Sequence, residues 1–352
     1  MLVVIAIVGL AALMVYLRGV VALAFGSVLI AVALRIGSNG VRRVTALGDT
    51  AALAVAVLGT LALLVIGVVL LGDSVAEQFA ALRTALPNAL AATLRWLNSH
   101  TLGLWLLQWW DSADAGVEWT RVAGVAGSAV GAVGGALLML VMGLYLAANP
   151  ELYRRGVLRL LPLRQRARVD RALAAAGNGL SRWLLGQAVA MVLVGAMTAI
   201  GLAAIGMPLA LPLGIIAGIL EFVPFFGAIV AGALTVLLAF TQGATQAAYA
   251  LLVCVFVQHF EGYVIQPFVQ RWAIALPPAL GLISVLVFGL LFGALGVVLA
   301  VPLMVVLMIL VQQLYIDGTP AAATFGAREL QLPSAVPRAA ATAAQTRKTS
   351  DG

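Results

Sequence analysis

The sequence is poor in formal charge, since only 9% of its residues are Asp, Glu, Lys or Arg. Between Trp183 and Ile316 the chain carries three charged residues, which are Glu221, Glu261 and Arg271. Soluble domains average about 25% charged residues, so this composition excludes a soluble fold and predicts an integral membrane protein. A charge near the bilayer centre costs roughly 2.5–3.5 kcal/mol on insertion scales. We therefore expect the two carboxylates to line a polar pathway or site.

Reactive side chains are also scarce. The chain has one cysteine, Cys254, and two histidines, His100 and His259. A single cysteine excludes an intramolecular disulfide, and its position in an apolar run predicts a buried, inert thiol. The sequence contains no P-loop, nucleotide fingerprint, metal-ligand spacing or nucleophile–base pair. We therefore expect no ATP-driven or enzymatic chemistry, no metal and no cofactor.

Long apolar runs are what the sequence has in abundance, with 63% hydrophobic residues. The alternation of period two that is typical of strands is absent. About 20 helical residues cross a bilayer core, so we predict an all-α, polytopic transmembrane helical bundle of about seven or eight hydrophobic segments. Pro and Gly interrupt the chain at 208–240 and 277–314, where we expect two broken or re-entrant helical hairpins.

Changes in composition divide the chain into six regions. We predict N-terminal transmembrane helices at 1–71, external amphipathic Trp-rich helices at 72–121, a Gly-rich transmembrane helix at 122–148, a cytoplasmic Arg-rich amphipathic helix at 149–182, an apolar core at 183–316 and a cytoplasmic tail at 317–352. The tail is rich in Ala, Thr, Pro and Ser, a composition that predicts disorder.

Charge asymmetry predicts the orientation of the chain. The segment 149–182 has eight arginines against Glu151 and Asp170, a net charge of +6, whereas 72–121 has three arginines against five acidic residues, a net charge of −2. The positive-inside rule places the first segment in the cytoplasm and the second outside. We therefore expect a multi-pass protein of the cell inner (plasma) membrane with both termini cytoplasmic. Because the basic residues collect at one membrane face, the expected partner is the lipid bilayer and not a nucleic acid.

The first candidate site residue is Glu221, which stands in the sequence Glu-Phe-Val-Pro-Phe-Phe-Gly. Pro224 lacks a backbone N–H and Gly227 permits a tight backbone path, so we expect the helix to open just after the carboxylate. Glu221 is then placed to bind a cation, accept a proton or bind a solute. A purely structural Glu that fixes the bend is the alternative.

A second polar group lies in the span that ends near Pro267. Gln258 and Glu261 are three residues apart and share a helix face, and Gln266 adds an amide one turn beyond Gly262. Such a stripe is costly at membrane depth unless it faces the bundle interior. It predicts either a substrate or coupling-ion site with Glu221, or hydrogen bonds between helices.

A third group has no reactive side chain and consists of Pro277, Gly289, Gly293, Gly296 and Pro302. The spaced glycines permit close helix packing, and carbonyls freed near Pro302 offer oxygen ligands. Together with Pro224, Gly227 and Pro267, these five residues are predicted helix breaks or hinges.

At these three groups the sequence resembles the autoinducer-2 exporter family of permeases. Its members share three motifs. The first corresponds to Glu221–Gly227 in this sequence, and the second is an acidic-Gly stretch that leads to a Pro, which corresponds to Glu261–Tyr263 and Pro267. The third is a Pro followed by spaced glycines and Ala-Val-Pro, which corresponds to Pro277 through Ala300–Pro302. The order of spans, external amphipathic stretch and basic helix is also similar, so the resemblance covers nearly the whole chain.

The resemblance implies export of small polar signalling molecules or antiport of sodium or lithium against protons, and it suggests a homo-oligomer. The first hypothesis is a secondary transporter of a small polar solute, such as autoinducer-2, coupled to a proton or cation gradient. Glu221, Glu261, Gln258 and Gln266 are then the substrate or coupling-ion residues, and the partner is a small solute, a monovalent cation or a proton. The alternatives are an antiporter without an organic substrate, and a non-transporting membrane scaffold or receptor.

Overall fold

The computed structural model of the chain describes residues 17–99, 104, 129–267 and 277–316. Within these residues every regular element is helical, which confirms the all-α prediction. The α-helices are α1 (Arg18–Val44), α2 (Asp49–Ser99), α3 (Ala129–Ala148), α4 (Pro150–Arg159), α5 (Leu163–Ala204), α6 (Ala210–Leu220), α7 (Phe226–Ala239), α8 (Ala244–Phe260), α9 (Pro278–Phe292) and α10 (Ala294–Val311). A 3₁₀ turn (Phe240–Gln242) follows α7, and π-helical turns extend α8 (Glu261–Ile265) and α10 (Gln312–Ile316).

Four of the described helices are long and apolar enough to cross a membrane, namely α1, α5, α8 and α10 with their extensions. A fifth span results if α3 and α4, which meet at 87°, count together. Shorter apolar helices occur at the start of α2 and in α6, α7 and α9. The fold is a polytopic membrane bundle, but the predicted total of seven or eight segments is not confirmed by this count. Residues 1–16, at the start of the predicted N-terminal transmembrane helices, lie outside the described residues.

No helix ends at Leu71, where the polar stretch begins. We predicted a boundary between 71 and 72, whereas α2 continues as one helix of 51 residues to Ser99 and contains Pro87. Helix hydrogen bonds are local, so a change from apolar to polar side chains does not interrupt them. Tryptophans 105, 109, 110 and 119 lie outside the described residues, as does the tail after 316.

The Arg-rich segment forms two helices. After α4 the chain turns, and the remaining arginines lie in the first half of α5, which continues without a break into the span predicted to follow. Arg154 joins the two helices through its Nε, which donates to Asp170 Oδ1 at 2.7 Å. Arg35 of α1 donates to the Ala147 carbonyl at 2.7 Å, which anchors the end of α3 beside this segment.

Helices α6 and α7 form the first broken hairpin, with a turn at residues 221–225. Phe225 has a positive φ of 65°. A methyl group on Gly227 would overlap the Leu220 carbonyl, so the turn requires glycine at this position, as the sequence suggested. Close backbone contact holds α6 on α5, since a Cβ at Gly218 would lie 2.7 Å from the Met191 carbonyl oxygen.

Helices α9 and α10 form the second hairpin, which turns at Gly293 with a φ of +67°. The predicted break at Pro302 is wrong, because α10 continues through this proline. One missing hydrogen bond does not end a helix that is packed on both sides, and Pro302 is fully buried. Gly289 and Gly296 also lie inside helices. A Cβ at Gly296 would overlap the Phe288 carbonyl, so this glycine serves the close packing of the two arms.

Two apolar clusters mark opposite ends of the bundle. The proximal cluster, beside the basic segment, contains Ala22, Leu29, Ala176, Leu180, Trp183, Leu299, Val301, Val305 and Ile309. The distal cluster contains Ala89, Leu202, Met207, Ala210, Leu213, Leu238, Ala239, Ala247 and Ala250. Both open ends of the first hairpin lie in the distal cluster, so its turn points into the bundle. Phe222 in that turn and Phe292 in the turn of the second hairpin both pack against the proximal cluster.

Candidate functional site

The four predicted site residues come from two elements that meet beside α5. Glu221 and Glu261 are buried, Gln266 is half-buried and Gln258 is exposed. Glu221 is the residue that ends α6 at the turn of the first hairpin. Gln258 lies in the last turn of α8, Glu261 begins the π-helical turn and Gln266 follows that turn. The structure brings all four together, through the contacts between Glu261 and the other three.

Both side-chain oxygens of Glu261 accept hydrogen bonds from amide donors. Gln258 Nε2 donates to Glu261 Oε2 at 3.1 Å, and Gln266 Nε2 donates to Glu261 Oε1 at 3.2 Å. The π-helical turn makes the second contact possible, because the Gln266 backbone N–H bonds to the Glu261 carbonyl five residues earlier. In an α-helix a residue five positions on points away from Glu261. The Glu261 side chain is 7% exposed, and its two oxygens are both satisfied.

Glu221 has the opposite environment. Its side chain is fully buried, and neither carboxyl oxygen accepts a hydrogen bond from a donor in the described residues. The carboxyl group lies near enough to that of Glu261 for the two charges to interact. A buried polar group without a partner costs about 1–3 kcal/mol, and more when it is charged. Since two adjacent buried carboxylates repel each other, we infer that the pair holds one proton and that Glu221, which has no donor among the described residues, carries it.

Gln187 is a site residue that sequence reasoning missed. It is 6% exposed in the middle of α5, and its Nε2 donates to the backbone carbonyl of Glu221 at 2.5 Å. The bond joins α5 to the turn of the hairpin and satisfies a carbonyl that the end of α6 leaves free. The only sequence signal was an amide inside an apolar span.

A small chamber lies beside Glu221 on the distal side. Its volume is about 20 Å³, and α5, α6, α7 and α8 form its walls. The polar residues of the wall are Glu221, Gln258, Thr198, Thr235 and Cys254. Thr198 and Thr235 are 5% and 1% exposed. The predicted burial of Cys254 is only partial, and its thiol lies close to the Thr235 hydroxyl.

The residues predicted as helix breaks or hinges lie partly beside the carboxyl pair and partly in the second hairpin. Pro224 lies in the turn that carries Glu221, and Gly227 is the second residue of α7. Pro267 directly follows Gln266, and Pro277 is the N-cap of α9. Gly293 is the turn of the second hairpin, so this hairpin contributes backbone shape rather than a polar side chain. Whether any of these residues acts as a hinge during a conformational change stays a prediction.

His259 and Arg271 are charged or titratable residues near this site in the sequence. His259 is exposed, and its Nδ1 lies 2.8 Å from the Val255 carbonyl of its own helix, so it faces away from Glu261. Arg271 lies outside the described residues.

Comparisons with known proteins identify the family of the chain. The chain matches a family profile described as AI-2E family transporter over residues 2–316. It is 27% identical over 146 residues to "Putative transport protein YrrI" of Bacillus subtilis (strain 168), and the alignment covers 41% of each chain. It is 34% identical over 125 residues to "Putative transport protein MT0215" of Mycobacterium tuberculosis (strain CDC 1551 / Oshkosh), with 34% of each chain covered. The aligned part thus spans between about a third and two fifths of these relatives.

Proposed function

Because the chain belongs to the AI-2E transporter family, we propose that it is a secondary transporter that exports a small polar solute in exchange for protons or another cation. The observation that carries the proposal is the buried carboxyl pair, in which Glu261 has two amide donors and Glu221 has none among the described residues. A pair of this kind holds one proton and one negative charge in the closed state.

Exchange of that proton supplies the coupling. When the site opens to water, Glu221 is hydrated and releases its proton, which leaves two adjacent carboxylates. Two negative charges at membrane depth are costly, so the pair must bind a cation, a cationic group of the solute or a new proton before the site closes again. The Gln258 and Gln266 amides keep Glu261 in place through both states and offer their own oxygens to a ligand.

A sodium or lithium/proton antiporter without an organic substrate is the second candidate. The donor set favours it, since carboxylate and amide oxygens are the groups that hard cations prefer. The chamber next to Glu221 has a volume of only about 20 Å³, which suits an ion better than an organic solute. A non-transporting scaffold or receptor would bind its partner through the Trp-rich helices at 72–121, and four of the five tryptophans there lie outside the described residues. This alternative gives the buried pair no role.

We also propose the orientation that the charges predict. The basic α4 and the first half of α5 then lie at the cytoplasmic face of the inner membrane, with both termini on that side, and the distal cluster lies near the outer face. Homo-oligomer formation is proposed from the resemblance. A groove of about 390 Å³ between α5 and α6 is lined by apolar residues.

Flux measurements in liposomes test the proposal. Purified protein is reconstituted with a pH-sensitive dye inside the vesicles, and a gradient of NaCl, LiCl or a candidate solute is applied. The wild type should move protons in response to at least one of these, and Glu221→Gln should not. Glu77→Gln is the control, because Glu77 is an exposed carboxylate on α2. Equal proton flux from the wild type and Glu221→Gln would exclude Glu221 as the coupling residue.

A further inference from the structure

The chamber beside Glu221 is about the size of one water molecule. A cavity needs roughly 10–15 Å³ to hold one water molecule, and this chamber has about 20 Å³. It therefore has room for one water molecule. The carboxyl group of Glu221, whose oxygens have no donor in the described part of the chain, forms part of its wall.

The polar groups of the wall suit a single water molecule. A buried water makes two to four hydrogen bonds. Thr198 on α5 and Thr235 on α7 contribute hydroxyl groups, and Gln258 contributes an amide whose nitrogen is already bonded to Glu261. The Thr235 hydroxyl donates to the Ala231 carbonyl at 2.8 Å, so its oxygen is the atom that faces a water. These groups and the Glu221 carboxyl supply up to four partners.

The chamber extends from Glu221 toward the distal cluster. Thr198 lies one turn before Leu202, and Thr235 lies one turn before Leu238, and both leucines belong to that cluster. The chamber is thus placed between the carboxyl pair and the apolar residues that close the distal end of the bundle. Among the described residues of its wall, Cys254 is the only titratable group besides Glu221, and Glu261 faces Glu221 from the other side.

We propose that this chamber holds one water molecule that carries the proton of Glu221 to the distal side of the membrane. The Glu221 O–H bond breaks, the proton joins the water oxygen to give hydronium, and Glu221 becomes a carboxylate. When the distal cluster opens, the hydronium gives a proton to bulk water, which regenerates the original water molecule. Thr198, Thr235 and Gln258 position this water. The inference rests on the proposed proton-coupled transport.

Gly232→Ala tests the proposal with little risk to folding. Gly232 lines the chamber, and a Cβ added there meets no atom within 4 Å. Alanine also favours the helix by roughly 1 kcal/mol over glycine. The added methyl group fills the space of the water, so proton flux should fall about tenfold or more. Gly134→Ala is the matched control, because its Cβ also meets no atom within 4 Å and it lies on α3.

The double variant Thr198→Val and Thr235→Val removes the hydroxyl groups at constant shape. We expect a similar loss of proton flux in liposomes under an NaCl or LiCl gradient. Thr60→Val is the control, since Thr60 also donates to its own helix, at 2.8 Å from the Ala56 carbonyl, and lies far from the site. Wild-type proton flux from both Gly232→Ala and the double threonine variant would overturn the proposal.

Infrared spectroscopy of the purified protein separates this inference from the proposed function. A protonated carboxyl group gives a C=O stretching band, which Glu221→Gln should remove. Gly232→Ala should keep the band and shift it to the position of an acid without a water partner, whereas Gly134→Ala should leave it unchanged. If Glu221→Gln retains wild-type flux but Gly232→Ala shifts the C=O band, the coupling proposal is wrong and the water in the chamber is still supported. If Gly232→Ala leaves the band at its wild-type position, no water contacts Glu221 and the water proposal is wrong.

Discussion

The side-chain amide of Gln187 donates to the backbone carbonyl of Glu221, and this bond attaches the turn of the first hairpin to α5. The hairpin is otherwise held by apolar packing and close glycine contacts, which do not define the position of its turn so directly. The placement of the carboxyl pair therefore depends on an amide that belongs to neither α6 nor α8.

We expect Gln187→Met to fold and to lose most of its transport. The substitution leaves the Glu221 carbonyl without its donor, at a cost of about 1–3 kcal/mol, and allows the turn to shift away from Glu261. Gln246→Met is the matched control, because Gln246 Nε2 makes the same kind of bond to the Ile205 carbonyl, at 2.7 Å, far from the pair. Both variants should lower the melting temperature in detergent similarly. Equal flux from the two would show that the Gln187 bond is only structural.

The two carboxyl groups should respond differently to the same isosteric change. Glu221→Gln should abolish coupled flux without loss of stability, because it replaces a neutral acid that has no donor among the described residues with a neutral amide of the same shape. Glu261→Gln should also lower the melting temperature, since its NH₂ group then faces one of the two glutamine NH₂ donors. Thermal unfolding of both variants beside the wild type measures this difference. A stable Glu261→Gln and an unstable Glu221→Gln would reverse the assignment of the proton.

Gly227→Ala should prevent the hairpin from closing. The added methyl group would overlap the Leu220 carbonyl, and overpacking a rigid backbone contact costs about 3 kcal/mol or more. We expect a broad or early elution in size-exclusion chromatography and a lower melting temperature. Gly59→Ala, whose Cβ would meet no atom within 4 Å, should behave as the wild type. A normal melting temperature for Gly227→Ala would mean that the turn adopts another path.

Cysteine labelling tests the orientation. In a Cys254→Ser background, a cysteine at the exposed position Leu104 should react with an impermeant maleimide added to intact cells. A cysteine at Gly156, on the exposed side of α4, should react only after the membrane is opened. The reverse pattern would place the basic segment outside and contradict the positive-inside assignment.

The sequence was informative where polarity and backbone chemistry act locally. Two carboxylates in an apolar stretch had to meet a polar environment, and Pro224 with Gly227 indicated the turn that carries one of them. The bond from Gln187 to Glu221 could not be predicted, because its acceptor is a backbone carbonyl 34 residues away that only the folded turn exposes. The π-helical turn that aligns Gln266 with Glu261 has no composition signal, since it differs from an α-helix only in hydrogen-bond register.

Neither proline nor glycine alone identified the helix breaks. Pro302 lies inside a continuous helix, as do Gly289 and Gly296, whereas Pro224, Gly227 and Gly293 lie at turns. A proline removes one donor, which neighbouring contacts can compensate in a packed helix. A positive φ or a backbone overlap has no such compensation, because a side chain at the glycine position would meet immovable backbone atoms.

Helix α2 is long and contacts the base of the hairpin that carries Glu221. Its 51 residues extend about 75 Å, well over twice the hydrocarbon thickness of about 30 Å. Near its far end Ala89 packs in the distal cluster, and the Trp96 ring lies 5.3 Å from that of Phe240 at the base of the first hairpin. Helix α2 therefore links its contacts with α1 to the base of the hairpin that carries Glu221. A ligand that fixes the Trp96 end of α2 would restrain the base of this hairpin without contacting either carboxyl group.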